Sequence, residues 1–368
     1  MIYLNELKEL VLLHSQAQGI SFDYSKSILE KITSEEGNQP GSWVYEWSKD
    51  APALQKKARW LESAQLYNLA RFPFIKSAAH IEAHQACINS FQQWLLTKPN
   101  TQKIEIKTPQ GTFKTYFTSG SEQKKRPLLV VCGGIVSIKE QWAAFIENAD
   151  TLGMAIALVE MPGVGENEIV YSPTAWKMFS ALLDRLSQLA DVNNTYFVAL
   201  SFSGHMAIQS AIGDRRIQGI TTASAPIHDF FSDRQWWNQV PITTKRTLAH
   251  LMGIDIEIED LFSAISPMAL TQTQLKSLAI PLNYIFSLRD EIIPISEKRF
   301  LQQHTSKLNL KEFNDVHGSP NHMKEFKFWI LLSLLKNRHS LALKAQLFRT
   351  VLFILQTKRI FKLGGQNA

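Results

Sequence analysis

The sequence predicts an α/β fold with a mostly parallel central sheet flanked by helices, a helical N-terminal accessory region and a lid insertion. Two observations carry this. Short, wholly apolar runs recur between helical stretches, as in strands covered on both faces. Residues with nucleophilic, basic or acidic side chains follow directly on those runs, where ligands bind in such sheets.

Residues 1–98 read as helical, because Ala, Leu, Lys, Glu and Gln recur at helical spacing and period-2 alternation is missing. Within 52–70, Leu54, Ala58, Leu61, Ala64 and Leu69 fall near one helix face. Breaks are expected at Gly37–Gly41 and at Pro73. Residues 103–107 and 112–117 alternate around Pro109-Gln-Gly like a β-hairpin. Strands are expected at 127–132, 155–160, 196–200, 217–223, 282–287 and 308–313, with helices at 138–149 and 174–189 and from 202 onward. Residues 99–338 thus make the α/β core. Residues 224–278 interrupt its rhythm and carry Phe230, Phe231, Trp236 and Trp237, which suggests a lid over the strand ends. Residues 339–368 read as a basic amphipathic helix, with Leu341, Ala345, Phe348, Leu352 and Leu355 apolar and Lys344, Arg349 and Lys358 charged. It suits an anionic lipid surface, a partner, or packing on the body.

Charge argues against a nucleic-acid-binding body. The net charge is +6, but residues 326–368 hold eight Lys/Arg and no Asp or Glu. The rest of the chain has 31 basic residues against 33 acidic. Cys87 and Cys132 are far apart in sequence and make neither a disulfide framework nor a metal site. The N-terminus has no basic leader and carries Glu6 and Glu9, so it does not read as a signal peptide. No apolar run reaches the roughly 18 residues of a membrane span. A cytoplasmic protein without a transmembrane segment, metal or organic cofactor is expected, and a homodimer is compatible with this reading.

The strongest local motif is Ala199-Leu-Ser201-Phe-Ser203-Gly204 after the strand at 196–200. A nucleophile presented on a tight strand-to-helix turn needs small residues two before and two after it. Ala199 and Ser203 satisfy this around Ser201, whereas His205 violates it around Ser203. The competing reading is a serine-rich helix cap. A nucleophilic serine needs a base, and the base an orienting acid. Asp290 follows the strand at 282–287, with Glu291 as substitute and Asp229 a weaker candidate; His317 follows the strand at 308–313, with His322 as competitor. The order nucleophile, acid, histidine is that of the α/β-hydrolase fold. Gly133-Gly134-Ile135 after the strand at 127–132 suits an oxyanion hole, with the N–H groups of Gly134, Ile135 and Phe202 as donors. Pro162-Gly-Val-Gly165 lacks the Lys-Ser/Thr and the glycine spacing of a nucleotide loop.

From about residue 60 to 335 the chain resembles FrsA-like α/β-hydrolases, a group of bacterial esterases and enzymes that hydrolyse C–C bonds in acyl-aromatic compounds. Tyr67-Asn-Leu-Ala-Arg-Phe-Pro-Phe, Gly133-Gly-Ile-Val-Ser-Ile-Lys-Glu-Gln, Glu160-Met-Pro-Gly-Val-Gly-Glu and Ala199-Leu-Ser-Phe-Ser-Gly-His-Met-Ala carry the resemblance. The chain departs from the family pattern at Ala199, Ser203, Val136 and Glu160. The resemblance implies a nucleophile at Ser201. The activity expected is hydrolysis of an ester or thioester of a small hydrophobic or aromatic acyl compound through an acyl-enzyme, with Phe72, Phe74, Phe230, Phe231, Trp236 and Trp237 at the substrate. Retro-Claisen C–C cleavage or cyclisation of a polyketide-like substrate by the same triad is an alternative, as is a degenerate hydrolase acting as a binding protein.

Overall fold

The computed structural model describes residues 2–120, 124–255 and 260–337. The tail assigned to a basic helix, 339–368, lies outside them. Eight strands form one sheet in the order β1-β2-β4-β3-β5-β6-β7-β8. They are β1 (Thr101–Thr108), β2 (Gly111–Thr118), β3 (Pro127–Cys132), β4 (Ala155–Val159), β5 (Asp191–Ala199), β6 (Ile217–Ala223), β7 (Leu282–Ser287) and β8 (Leu308–Phe313). β1 and β2 pair antiparallel, β2 pairs antiparallel with β4, and the remaining pairs are parallel. This is the α/β-hydrolase architecture, with a helical N-terminal region added.

Burial follows from composition. β4 and β7 are buried at every position, and β3 at all but its first residue, because helices cover both faces. β1 sits at the sheet edge and alternates, with Ile104 and Ile106 inward. The helix Phe202–Gly213 packs on β5 and β6, and the helix Met323–Asn337 packs on β6. Glycine is required at Gly204, where a Cβ would fall 2.0 Å from Thr222 Oγ1.

Two expected helices are broken. The stretch 52–70 splits into Ala51–Lys56 and Trp60–Ala70, with Ala58 at φ +53° between them. The stretch 138–149 becomes a 3₁₀ turn, Lys139–Trp142, followed by the helix Ala143–Glu147. The turn draws Lys139 into a buried charge cluster, its Nζ 2.8 Å from Glu160 Oε1, 2.8 Å from Glu166 Oε2 and 3.3 Å from Glu140 Oε1. Glu160 also accepts the N–H groups of Lys139 and Glu166. The Gly163–Gly165 turn serves this cluster. Gly165 has φ +59°, and a Cβ there would lie 2.4 Å from Glu160 Oε2.

The N-terminal region reaches the carboxyl ends of the strands. Arg71, at the end of Trp60–Ala70, is buried and donates from Nη2 to the Val136 carbonyl at 2.5 Å, next to the glycine loop after β3. The helix Ile2–Ala17 packs on Ile242–Met252, and Glu6 accepts from the Thr243 N–H and hydroxyl at 2.9 Å. Among the described residues no helix is long and apolar enough to cross a membrane.

Candidate active site

Four strand ends converge. Ser201 follows β5 and opens the helix Phe202–Gly213 with φ +56° and ψ −131°. That conformation is costly for a residue with a Cβ, of order 1–3 kcal/mol. Neighbouring backbone holds it: the Ser201 N–H donates to Ala223 O at 2.8 Å and the Leu200 N–H to Cys132 O at 2.9 Å. The Ser201 hydroxyl makes no cap hydrogen bond to its helix, so it is not spent as a helix terminus. Ser203 is fully buried, its Oγ 2.9 Å from the carbonyl oxygens of Cys132 and Leu200. Its proton is committed to backbone.

Ser201 Oγ lies 3.2 Å from His317 Nε2. His317 Nδ1 lies 2.9 and 3.0 Å from the two oxygens of Asp290, so Nδ1 carries the proton and Nε2 is an acceptor. Asp290 is aimed by its own loop, Oδ1 accepting the N–H groups of Ile292 and Ile293 at 2.9 Å. Burial alone would lower the His317 pKa. The Asp290 carboxylate, with Glu291, more than offsets this and holds it above the usual 6.5. Glu291 accepts the His317 backbone N–H at 3.0 Å and thus fixes the loop rather than the ring. His322 is turned elsewhere, with Nδ1 2.8 Å from Asp315 Oδ2 and its ring stacked on Phe313. Asp229 opens the helix Asp229–Ser232.

Gly134 abuts the nucleophile: a Cβ on it would lie 3.0 Å from Ser201 Cβ and 3.4 Å from Oγ. Gly134, Ile135, Ser201, Phe202 and His317 line one cavity of about 420 Å³. Its walls are largely aliphatic, including Leu10, Leu13, Leu152, Leu200, Ile292, Met323, Ile330 and Leu331. Trp142, Phe145 and Phe326 add aromatic surface. Among the described residues no group of three or more His, Cys, Asp or Glu is arranged to hold a metal ion.

None of the six aromatics expected at the substrate, Phe72, Phe74, Phe230, Phe231, Trp236 and Trp237, lines this cavity. Phe230 meets Phe202, Phe231 and Trp237 edge to face, with centroids 5.3, 5.1 and 5.5 Å apart. Phe231 also packs on His205, and Trp236 donates from Nε1 to Ile292 O. Phe72 is buried against Trp43 and His14, and Phe74 stacks on His250. Large rings bury most area against each other. These form the support behind the site, and Phe230 backs Phe202 directly. What the sequence hides is the wall supplied by the first helix (Leu10, Leu13, His14, Ala17), by Gln141, and by the inner face of Met323–Asn337. Their spacing is that of any amphipathic helix.

The model of the Esterase FrsA-like family matches residues 12–315. Esterase FrsA of Citrobacter koseri is 25% identical over 350 residues, covering 87% of this chain and 83% of that protein. Esterase FrsA of Klebsiella pneumoniae subsp. pneumoniae is 23% identical over 344 residues, with the same coverage. A solved structure titled AbyA5 Wildtype is 35% identical with a TM-score of 0.89, covering 95% of this chain and 99% of that one. The structure of 2,6-dihydroxy-pseudo-oxynicotine hydrolase shares the fold, with a TM-score of 0.72 at 18% identity over 88% of this chain and 96% of that one. The chain is a hydrolase of the α/β-hydrolase fold, and it belongs to the FrsA-like esterase family.

Proposed function

We propose that the protein hydrolyses an ester or thioester of a largely apolar acyl compound through an acyl-enzyme on Ser201. The observation that carries this reading is the relay from Ser201 Oγ through His317 to Asp290, at 3.2 and 2.9 Å, placed beside a glycine that leaves room for an oxyanion. His317 Nε2 takes the Ser201 hydroxyl proton as Oγ bonds to the substrate carbonyl carbon. The N–H groups of Gly134, Ile135 and Phe202 receive the oxygen that becomes negative. The carbonyl re-forms, the bond to the leaving alkoxide or thiolate breaks, and His317 gives the leaving group its proton. Water then loses a proton to His317 and attacks the acyl-enzyme, releasing the acid and restoring Ser201. Asp290 holds the imidazole in the tautomer this sequence needs.

The cavity supports the substrate class. At about 420 Å³ with mainly aliphatic walls, it suits a medium-sized apolar acyl group. The altered elbow is compatible with catalysis, since Ala199 and Ser203 are both buried and small and the turn keeps its positive φ. Labelling with a fluorophosphonate and mapping the adduct tests the nucleophile. An adduct on Ser201, together with loss of ester hydrolysis in Ser201→Ala, is the expected result. An adduct on Ser203, or unchanged turnover in Ser201→Ala, overturns it.

A further inference from the structure

The cavity holds a second imidazole that the relay does not use. His14, on the helix Ile2–Ala17, lines the same space as Ser201 and His317. Its Nδ1 lies 3.3 Å from Gln141 Oε1. A carboxamide oxygen can only accept, so Nδ1 carries the proton and Nε2 presents a lone pair. Among the described residues Nε2 has no hydrogen-bond partner. Phe72 supports the ring from one side, with centroids 5.2 Å apart.

Gln141 is held in place for this role. It is buried in the Lys139–Trp142 turn, which Glu160 fixes through the Lys139 N–H and Nζ. Two of the hydroxyls that line the cavity are committed elsewhere: Thr243 donates to Glu6 and Thr247 donates to the Thr243 carbonyl. With no partner for its Nε2, the imidazole presents an open nitrogen to a mainly aliphatic chamber. Burial pushes the His14 pKa down to about 4, so the ring is neutral at ordinary pH, and His317 is near enough to bear on its protonation. A neutral acceptor in an apolar wall discriminates by the cost of leaving it unpaired.

We propose that His14 is a specificity-determining residue, its Nε2 accepting a hydrogen bond from a hydroxyl or N–H on the acyl part of the substrate. This rests on the reading of the cavity as an acyl site. The preferred substrate then carries one hydrogen-bond donor on an otherwise apolar acyl group, at the distance from its carbonyl that separates His14 from Ser201.

Binding to Ser201→Ala protein tests this without turnover. The probes are methyl decanoate, the set of its monohydroxy isomers, and the methoxy counterpart of each. At least one hydroxy isomer is expected to bind roughly tenfold more tightly than the parent, and its methoxy counterpart is expected to lose that gain. The hydroxy-to-parent ratio should fall to about one in Ser201→Ala/His14→Phe. It should partly return in Ser201→Ala/His14→Gln, whose amide oxygen can take the place of Nε2. No isomer preferred over the parent, including no binding by any, overturns the proposal. So does a preference that persists with phenylalanine. Fluorophosphonate labelling of the unsubstituted protein separates the two readings. Labelled Ser201 without a hydroxyl preference overturns the role of His14 alone. A preference lost with phenylalanine, in a protein whose Ser201 is unreactive, supports the anchor and overturns the hydrolytic reading.

Discussion

Gly134 and Ser201 are in such close approach that a single methyl group on the glycine would sit 3.0 Å from the serine Cβ. The loop after β3 and the turn after β5 thus meet closely, and a side chain on the glycine would crowd the nucleophile proposed at Ser201. Gly134→Ala is expected to lower kcat on the order of 10²-fold, by pushing the loop N–H groups off the developing oxyanion. The melting temperature should change little by comparison, because Gly134 lines the cavity rather than the core. Steady-state kinetics on an activated ester checks this. A kcat within twofold of the parent enzyme would remove Gly134 from the oxyanion site.

On the proposed mechanism the relay sets the pH dependence of activity. His317 acts as a base only when neutral, and its pKa is raised above 6.5. Activity should therefore rise with pH through an inflection above 6.5. The same shift makes a stability contribution that is full below pH 6.5 and is lost as pH rises through the folded-state value. Asp290→Asn removes the charge that offsets burial, so the inflection should move down while kcat falls on the order of 10⁴-fold. A pH–rate profile of both proteins measures the two effects together. An inflection that does not move would show that Asp290 does not govern His317.

Much of this site is legible in the sequence, for a physical reason. Ser201, Asp290 and His317 each follow a strand of the parallel part of the sheet, and parallel strands bring their carboxyl ends to one edge. The side chains singled out on that ground meet within hydrogen-bonding distance. The strands are legible for related reasons: runs such as Leu128–Cys132 have no polar face to present to water, and the edge hairpin at β1 and β2 shows as alternation around a turn. The cavity walls are not. His14 and Gln141 are 127 positions apart, and nothing local to either marks the contact. Aromatic residues mislead in the other direction. Phe230 and Phe231 look like substrate contacts but pack against Phe202 and His205 and do not line the cavity. The break of 138–149 is equally hidden, since Lys139 leaves helical register for carboxylates 21 and 27 residues further on.

That buried cluster makes a stability prediction. Lys139 is fully buried, as are the side chains of Glu140 and Glu160 to within 2%. Burial would lower the Lys139 pKa, but Glu140, Glu160 and Glu166 more than offset it and keep the amine charged. Lys139→Met leaves the buried Glu140 and Glu160 without their counter-ion, while Glu166 keeps Lys103 and Lys114, and should destabilise the fold by about 3–5 kcal/mol. Lys139→Met with Glu160→Gln should recover part of the loss. Urea unfolding of the three proteins provides the test. A loss under about 1 kcal/mol for the single variant would mean that water or protonation relieves the cluster.

Glu297 makes the pH dependence of stability distinct from that of activity. Its buried carboxylate accepts the N–H groups of Ile227, His228 and Phe230, tying the helix Ser296–His304 to the segment after β6. Burial pushes its pKa up to about 7, although the three N–H groups pull the other way. A carboxyl group whose folded pKa is raised binds its proton more tightly in the folded state. Its contribution is full below the unfolded value near 4.5 and is lost as pH rises through about 7. Melting temperature should therefore fall between pH 4.5 and 7 by a component that Glu297→Gln lacks, since the amide keeps one acceptor oxygen and does not titrate. Thermal unfolding at half-unit pH steps resolves this component as the difference between the two proteins. Parallel curves across that window would place the Glu297 titration elsewhere. A gap that opens in the opposite direction would mean that the three N–H groups outweigh burial and that the carboxylate is the favoured form.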